Sequence, residues 1–387
     1  MVELRDYQQD AVNRFLKVRK GIVATHPGSG KTVIACSAIN EVFRREGPDT
    51  GKPSLGPPSG KSVLALVIVP TLVLLDQWND ELEKQNVHST TVITYARACK
   101  LAFNDRFWAG FSILVFDEVH HLAEGRVYQR LLVPAFKAKY ALGLTSTPPT
   151  NPNHILLRVL PVLATMDFAE GRQKGFAAPV EVRPVPVSLA PDEAERYADL
   201  THSIAVRFKR LGVPLAKAMQ MKNRDAAELK AFIAQRRFIV ATAVHKVGAV
   251  LGILEDIRKE AGDTARVFIW NERIVALQVL QSMMESHGMD APILSGETPK
   301  EVRKNLLARW GKDFYHLLVA KVGEEGLDAP EVAYGIITAG SRTNRQNVQR
   351  VGRLMRPQPG KTAQLYVVYA QNTVEEKLLS LIQQVLG

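Results

Sequence analysis

The chain has 387 residues, which suits two domains of ordinary size. Its hydrophobic content of 46% is that of a globular protein, and no run of 18 or more apolar residues occurs, so no membrane span is expected. Two cysteines, Cys36 and Cys99, exclude a four-thiolate metal site, and the charged start "MVELRDYQQD" lacks the apolar core of a secretory signal, so a cytoplasmic location is expected.

In chain order, "GIVAT" (21–25), "VLALVIV" (63–69), "TVIT" (91–94), "SILVF" (112–116) and "YALGLT" (140–145) read as buried strands. Amphipathic helical stretches such as "KTVIACSAINEVFRR" lie between several of them. Near-continuous apolar strands alternating with helices imply a parallel sheet covered on both faces. The Pro-, Gly- and Ser-dense stretch 46–61 reads as a surface loop within this domain. From Pro179 the texture changes. "VEVRPVPVSL" alternates like an edge strand, with prolines limiting its pairing. A mostly helical region follows over about 191–262. A second βα alternation then runs through "RVFIW" (266–270), "HLLVA" (316–320), "YGIIT" (334–338) and "QLYVVY" (364–369). The expected organisation is a first α/β domain over 1–165, a linker and strand over 166–190, the helical insert over 191–262 and a second α/β domain over 263–387.

The formal net charge is +11, and its placement matters more than its sum. Between Leu200 and Lys246 there are ten Lys or Arg against two acids, Asp225 and Glu228. This basic insert points to a polyanion, and its candidate phosphate contacts are Arg207, Lys209, Arg210, Lys217, Lys222, Arg224, Arg236 and Arg237. The competing reading is a set of solvated helix faces.

The segment "ATHPGSGKTV" (24–33) follows a strand and opens a helix, which is the setting a P-loop requires. Backbone around Pro27, Gly28, Ser29 and Gly30 can face phosphate oxygens at a helix N-terminus. Lys31 would reach the β- and γ-phosphates and the Thr32 hydroxyl would coordinate Mg²⁺. Thr25 stands where the strict pattern has glycine. In "SILVFDEVHH", Asp117 and Glu118 stand just past an apolar strand, where parallel sheets bind ligands. Asp117 can hold Mg²⁺ and Glu118 can activate the attacking water as general base.

With His120, "DEVH" resembles motif II of superfamily-two helicases. "LRDYQQDAV" is similar to that family's adenine-side motif, which implies that Arg5, Tyr7 and Gln8 bind the base side of ATP. "VPTLVLLDQW" resembles motif Ia and "LGLTSTPP" motif III, with Ser146 and Thr147 linking the nucleotide and nucleic-acid sites. Pro70, Thr71, Gln77, Thr94 and Tyr95 are then implied nucleic-acid contacts. "VAKVGEEGLDAPEV" looks like motif V, implying roles for Gly326 and Asp328 at the nucleotide and Lys321 at nucleic acid. "QRVGRLMR" matches Gln-x-x-Gly-Arg-x-x-Arg of motif VI, which makes Gln349 catalytic and Arg353 and Arg356 arginine fingers, three residues apart on one helix face.

The resemblance, closest to the XPB-type branch with its restriction-subunit and Swi/Snf-type neighbours, covers nearly the whole chain. It implies α/β architecture, two RecA-like P-loop domains in tandem around the mostly helical basic insert. It also implies ATP and Mg²⁺ as cofactors, hydrolysis in an inter-domain cleft, and 3′→5′ movement on single-stranded or forked DNA by a monomeric motor. RNA as substrate, a duplex translocase that does not unwind, and a nucleotide-gated clamp stay open as alternatives.

Overall fold

The computed structural model describes residues 3–46, 64–123, 126–320, 332–339 and 362–386. The chain divides into two compact units, with the boundary after Ala177.

The first unit contains β1 (Lys20–Thr25), β2 (Ala65–Val69), β3 (Thr90–Thr94), β4 (Ile113–Phe116), β5 (Tyr140–Thr145) and β6 (Val162–Met166). They form one parallel sheet in the order β3-β2-β4-β5-β1-β6. Every residue of β2, β4 and β5 is buried, because helices cover both faces. Val23, Val67, Val115 and Leu142 turn towards the helices Asp6–Val18, Lys31–Glu46 and Leu72–Lys84. Ile22, Leu66, Ile68 and Phe116 turn the other way, onto Leu122, Leu131 and Leu156. This two-residue alternation is the pleat itself. β6 was not expected from the sequence. It lies at the sheet edge and is only partly buried, and its apolar run follows directly on that of the helix Ile155–Val159, so it did not stand out as a separate strand.

The second unit contains β7 (Val180–Val187), β8 (Val267–Trp270), β9 (Ile293–Ser295), β10 (His316–Ala320), β11 (Tyr334–Ile337) and β12 (Ala363–Ala370). This sheet is also parallel, in the order β7-β12-β11-β8-β10-β9. β7 occupies an edge, as its prolines require, with Pro184 opposite Val367 and Pro186 opposite Tyr369.

The basic window falls on the helices Pro191–Leu211, Leu215–Ala218, Arg224–Ala241 and His245–Ala261 of this unit. Pro191 starts the first helix and Gly212, at φ 56°, ends it. Arg207 Nε donates to Glu228 Oε2 at 2.6 Å, joining the first and third helices. The stretch Arg224–Ala261 has the length and apolarity of a membrane span. It is nevertheless two helices, and Leu229, Val250, Ile253, Leu254 and Ile257 on them are buried.

A buried ion pair ties the carboxyl edge of this second sheet. Lys246 Nζ donates to Glu375 Oε2 at 2.6 Å and to the Thr338 carbonyl at 2.5 Å. The same carboxylate oxygen accepts from Ala370 N–H at 2.9 Å. Burial pulls the Lys246 pKa down and pushes that of Glu375 up, and each partner's charge opposes the shift of the other. Removing one partner leaves an uncompensated buried charge. Glu375→Ala should therefore cost about 3–5 kcal/mol in urea unfolding, while Lys246→Met/Glu375→Leu should recover most of that loss. Equal losses in the single and double variants would show that charge compensation is not what the pair provides.

Candidate active site

Parallel strands place all their carboxyl ends on one edge of the sheet. In the first unit the edge carries the loop after β1, the Asp-Glu pair after β4 and the Thr-Ser-Thr turn at the end of β5. The loop after β1 is shaped by Gly28 and Gly30, at φ 81° and 83°, conformations that side chains resist. A Cβ on Gly30 would also lie 2.5 Å from Gln8 Nε2. Thr25, the departure from the strict glycine pattern, is buried, with its Oγ1 2.7 Å from Ser29 Oγ, so the hydroxyl braces the loop from within. Lys31 Nζ donates to the carbonyls of Thr25 at 2.9 Å and His26 at 3.2 Å. Burial lowers its pKa, and the charges of Glu118 and Asp117 oppose that shift. Thr32 follows in the first turn of the helix Lys31–Glu46.

Asp117 is buried, and its two oxygens are held separately. Oδ2 accepts from Trp78 Nε1 at 2.8 Å and Oδ1 from Glu118 N–H at 3.0 Å. Burial, and then the charge of Glu118, push its pKa up to about 6, against the pull of Trp78 and Lys31. Glu118 adopts a left-handed φ of 46°. Its Oε2 lies 3.3 Å from His120 Nδ1, which is also 3.0 Å from Thr145 Oγ1. Thr145 Oγ1 in turn accepts from Thr147 N–H at 3.1 Å, so the ends of β4 and β5 form one polar chain. Ser146 Oγ and Thr147 Oγ1 are buried without a hydrogen-bond partner among the described residues.

Gln8 and Tyr7 both reach this loop. Gln8 Nε2 donates to the Ser29 carbonyl at 3.0 Å, its Oε1 accepts from Arg5 N–H at 3.0 Å, and the Tyr7 hydroxyl donates to the same carbonyl. The Tyr95 side chain is buried, and its hydroxyl donates to the Asp117 carbonyl at 3.0 Å. Pro70 and Thr71 follow β2, and Thr94 ends β3, so these stand side by side on the same edge. The Thr71 and Thr94 hydroxyls cap the helices Leu72–Lys84 and Tyr95–Lys100. Gln77 is half-buried on the first of these. In the second unit, Lys209, Arg210 and Arg237 are exposed, while Arg236 lies over the Tyr197 ring at 5.7 Å. Lys321, Gly326, Asp328, Gln349, Arg353 and Arg356 lie outside the described residues.

Two residues that stand inside quoted motifs, Trp78 and His26, had no role assigned to them there. Trp78 orients Asp117, and the signal available was an indole on the buried stripe of its helix, which needs a partner for its N–H. His26 packs its ring on Phe168 at 5.2 Å, and a Cβ on Gly171 would lie 2.4 Å from its Nε2. That closeness joins residues far apart in sequence.

Two family descriptions match the chain. "Type III restriction enzyme, res subunit" covers residues 1–102 and 85–150, and "Helicase conserved C-terminal domain" covers 245–358. The helicase domain of Hef from Pyrococcus furiosus superposes with a TM-score of 0.63 over 97% of both chains, at 15% identity, which fits a tandem RecA-like fold. The chain belongs to the superfamily-two helicases and translocases. Among curated proteins, a DNA 3′-5′ translocase XPB2 from Sulfurisphaera tokodaii is 26% identical over 97% of this chain and 84% of its own length. A DNA 3′-5′ helicase XPB from Kineococcus radiotolerans is 24% identical over 96% of this chain and 61% of its own. Within the superfamily, these relatives are of the XPB type.

Asp117 gives the first unit a pH signature. Its folded pKa is raised, so in metal-free buffer it favours the fold most strongly at low pH. That contribution is lost as pH rises from about 4 to about 6. Asp117→Asn should abolish this dependence and stabilise the protein at pH 7 by up to about 3 kcal/mol, read from urea midpoints across the pH range. Superimposable profiles for both proteins would refute the assignment. Gly171→Ala should destabilise by about 1–3 kcal/mol through overpacking on His26. A neutral result in the same urea assay would mean that this approach is not tight.

Proposed function

We propose that the chain is an ATP-dependent DNA helicase that couples hydrolysis to 3′→5′ movement and strand separation. The observation that carries this reading is the assembly of Lys31, Asp117, Glu118 and the His120–Thr145 link on one carboxyl edge. Lys31 is already anchored within the loop whose glycines leave room for phosphate oxygens. In this reading Glu118, whose Oε2 lies 3.3 Å from His120 Nδ1, takes the proton of the attacking water. Asp117 fits a divalent cation, because burial beside Glu118 leaves its carboxylate short of positive charge and each oxygen keeps a free lone pair. Mg²⁺, held by Asp117 and Thr32, would neutralise charge on the phosphates. In this reading Arg353 and Arg356 act as the arginine fingers, with Gln349 beside them in the motif.

Nucleic-acid binding is assigned to the Pro70–Thr71 and Thr94 edge and to the exposed Lys209, Arg210 and Arg237. The three cations would neutralise phosphates, so binding should be salt-dependent and largely sequence-independent. Movement along duplex without unwinding is the second reading, because the Sulfurisphaera relative is named a translocase.

ATPase measurements with single-stranded DNA, duplex, fork and RNA should show the strongest stimulation by forked or single-stranded DNA. Stimulation by RNA alone would overturn the DNA assignment, and triplex displacement without fork unwinding would favour the second reading. Lys31→Ala should abolish turnover, and Arg353→Ala should spare ATP binding while stopping hydrolysis, by about 10³-fold or more. Normal turnover in Arg353→Ala would remove the finger. Replacing Lys209, Arg210, Arg236 and Arg237 together should weaken DNA binding and flatten its salt dependence; unchanged affinity at several salt concentrations would reject the basic face.

A further inference from the structure

One aromatic ring, that of Phe176, joins the base-side residues of the first unit. Phe176 follows the helix Phe168–Gln173, and its N–H donates to the Gly171 carbonyl at 2.6 Å, which fixes the turn presenting the ring. The Arg5 guanidinium carbon stands 5.0 Å from the centre of that ring. The Tyr7 ring packs on it at 4.9 Å, tilted by 44°. Tyr7 and Gln8 are in turn bonded to the Ser29 carbonyl of the phosphate loop. Phe176 also lines a cavity of about 710 Å³ together with Tyr7, Arg14 and Thr25, and Arg5 stands outside its described lining. Lys31, Asp117 and Glu118 are not among its described contacts.

A guanidinium is planar and stacks on aromatic faces, and its fork of N–H donors points outward in the same plane. Phe176 covers one face of the Arg5 group. Arg5 itself is exposed, so the other face is open. An arginine on a free loop has many rotamers; one laid on a ring, beside a loop that takes phosphates, is already arranged for a flat partner. A purine offers a larger π surface than a pyrimidine and gains more from such a platform.

We propose that Phe176 is a positioning residue for the nucleobase: it holds the Arg5 guanidinium flat beside the phosphate loop, and so sets the preference for purine over pyrimidine triphosphates. This rests on the ATP-site reading given above. Because the platform serves the base and not the reacting phosphate, it acts on KM and leaves kcat nearly unchanged.

The test is steady-state hydrolysis of ATP and CTP by the full chain with saturating DNA, together with direct binding of both nucleotides. Phe176→Leu keeps an apolar side chain and removes the ring face. It should raise KM for ATP about tenfold and shrink the ATP-over-CTP ratio of kcat/KM by a similar factor, with kcat within about twofold. Phe176→Tyr should behave as the wild type. Arg5→Gln, an exposed change with little bearing on folding, should reproduce the Phe176→Leu pattern. A loss confined to thermal stability, with KM and the nucleotide ratio intact in Phe176→Leu and Arg5→Gln, overturns the inference alone. A wild-type chain that binds neither nucleotide overturns the ATP site and the inference together.

Discussion

The buried carboxylate of Asp117 sets the terms for the first unit. It sits at the end of β4 because a strand buried on both faces can turn polar only where it leaves the sheet. There it meets a second acid, Glu118, and its charge is only partly offset by an indole N–H and by Lys31. Two acids and one lysine in a confined space leave the edge electronegative. A phosphate alone would worsen that imbalance, whereas a phosphate arriving with a divalent cation relieves it. The polar chain through His120 and Thr145 then ties Glu118 to the neighbouring strand end, so the acid does not relax away from its partner.

Most of this architecture is legible in the amino-acid sequence, for a physical reason. Strands covered on both faces must be apolar almost throughout, and "ALVIV" and "YALGLT" could not hide what they are. The weak spots are equally physical. β6 lies partly buried at an edge, and its apolar run merges with that of the helix Ile155–Val159 before it. The P-loop and the Asp-Glu pair were legible because phosphate chemistry restricts residue types at fixed spacing. The contacts of Trp78, His26 and Phe176 were not, because each acts through a partner distant in sequence. The base-side motif was legible as a motif, but its wiring was not: Gln8 spends its amide on Arg5 and Ser29.

The basic insert shows how far a charge count reaches. The excess was visible as a number, yet the number did not say which cations are already engaged. Arg207 is committed to Glu228, and Arg236 rests on Tyr197. Lys209, Arg210 and Arg237 remain on the surface of the same helices. A helix such as Pro191–Leu211, which buries none of its residues fully, draws little from packing. Internal pairs of this kind help it keep its place.

Lys246 and Glu375 form a different population of charge. They are shielded from solvent at the strand ends of the second sheet, where mobile ions do not enter. Raising ionic strength will loosen whatever the surface lysines and arginines grip and leave this inner tether untouched. A titration with sodium chloride on this protein is thus a selective instrument: it strips the exterior while the scaffold of the second unit stays intact.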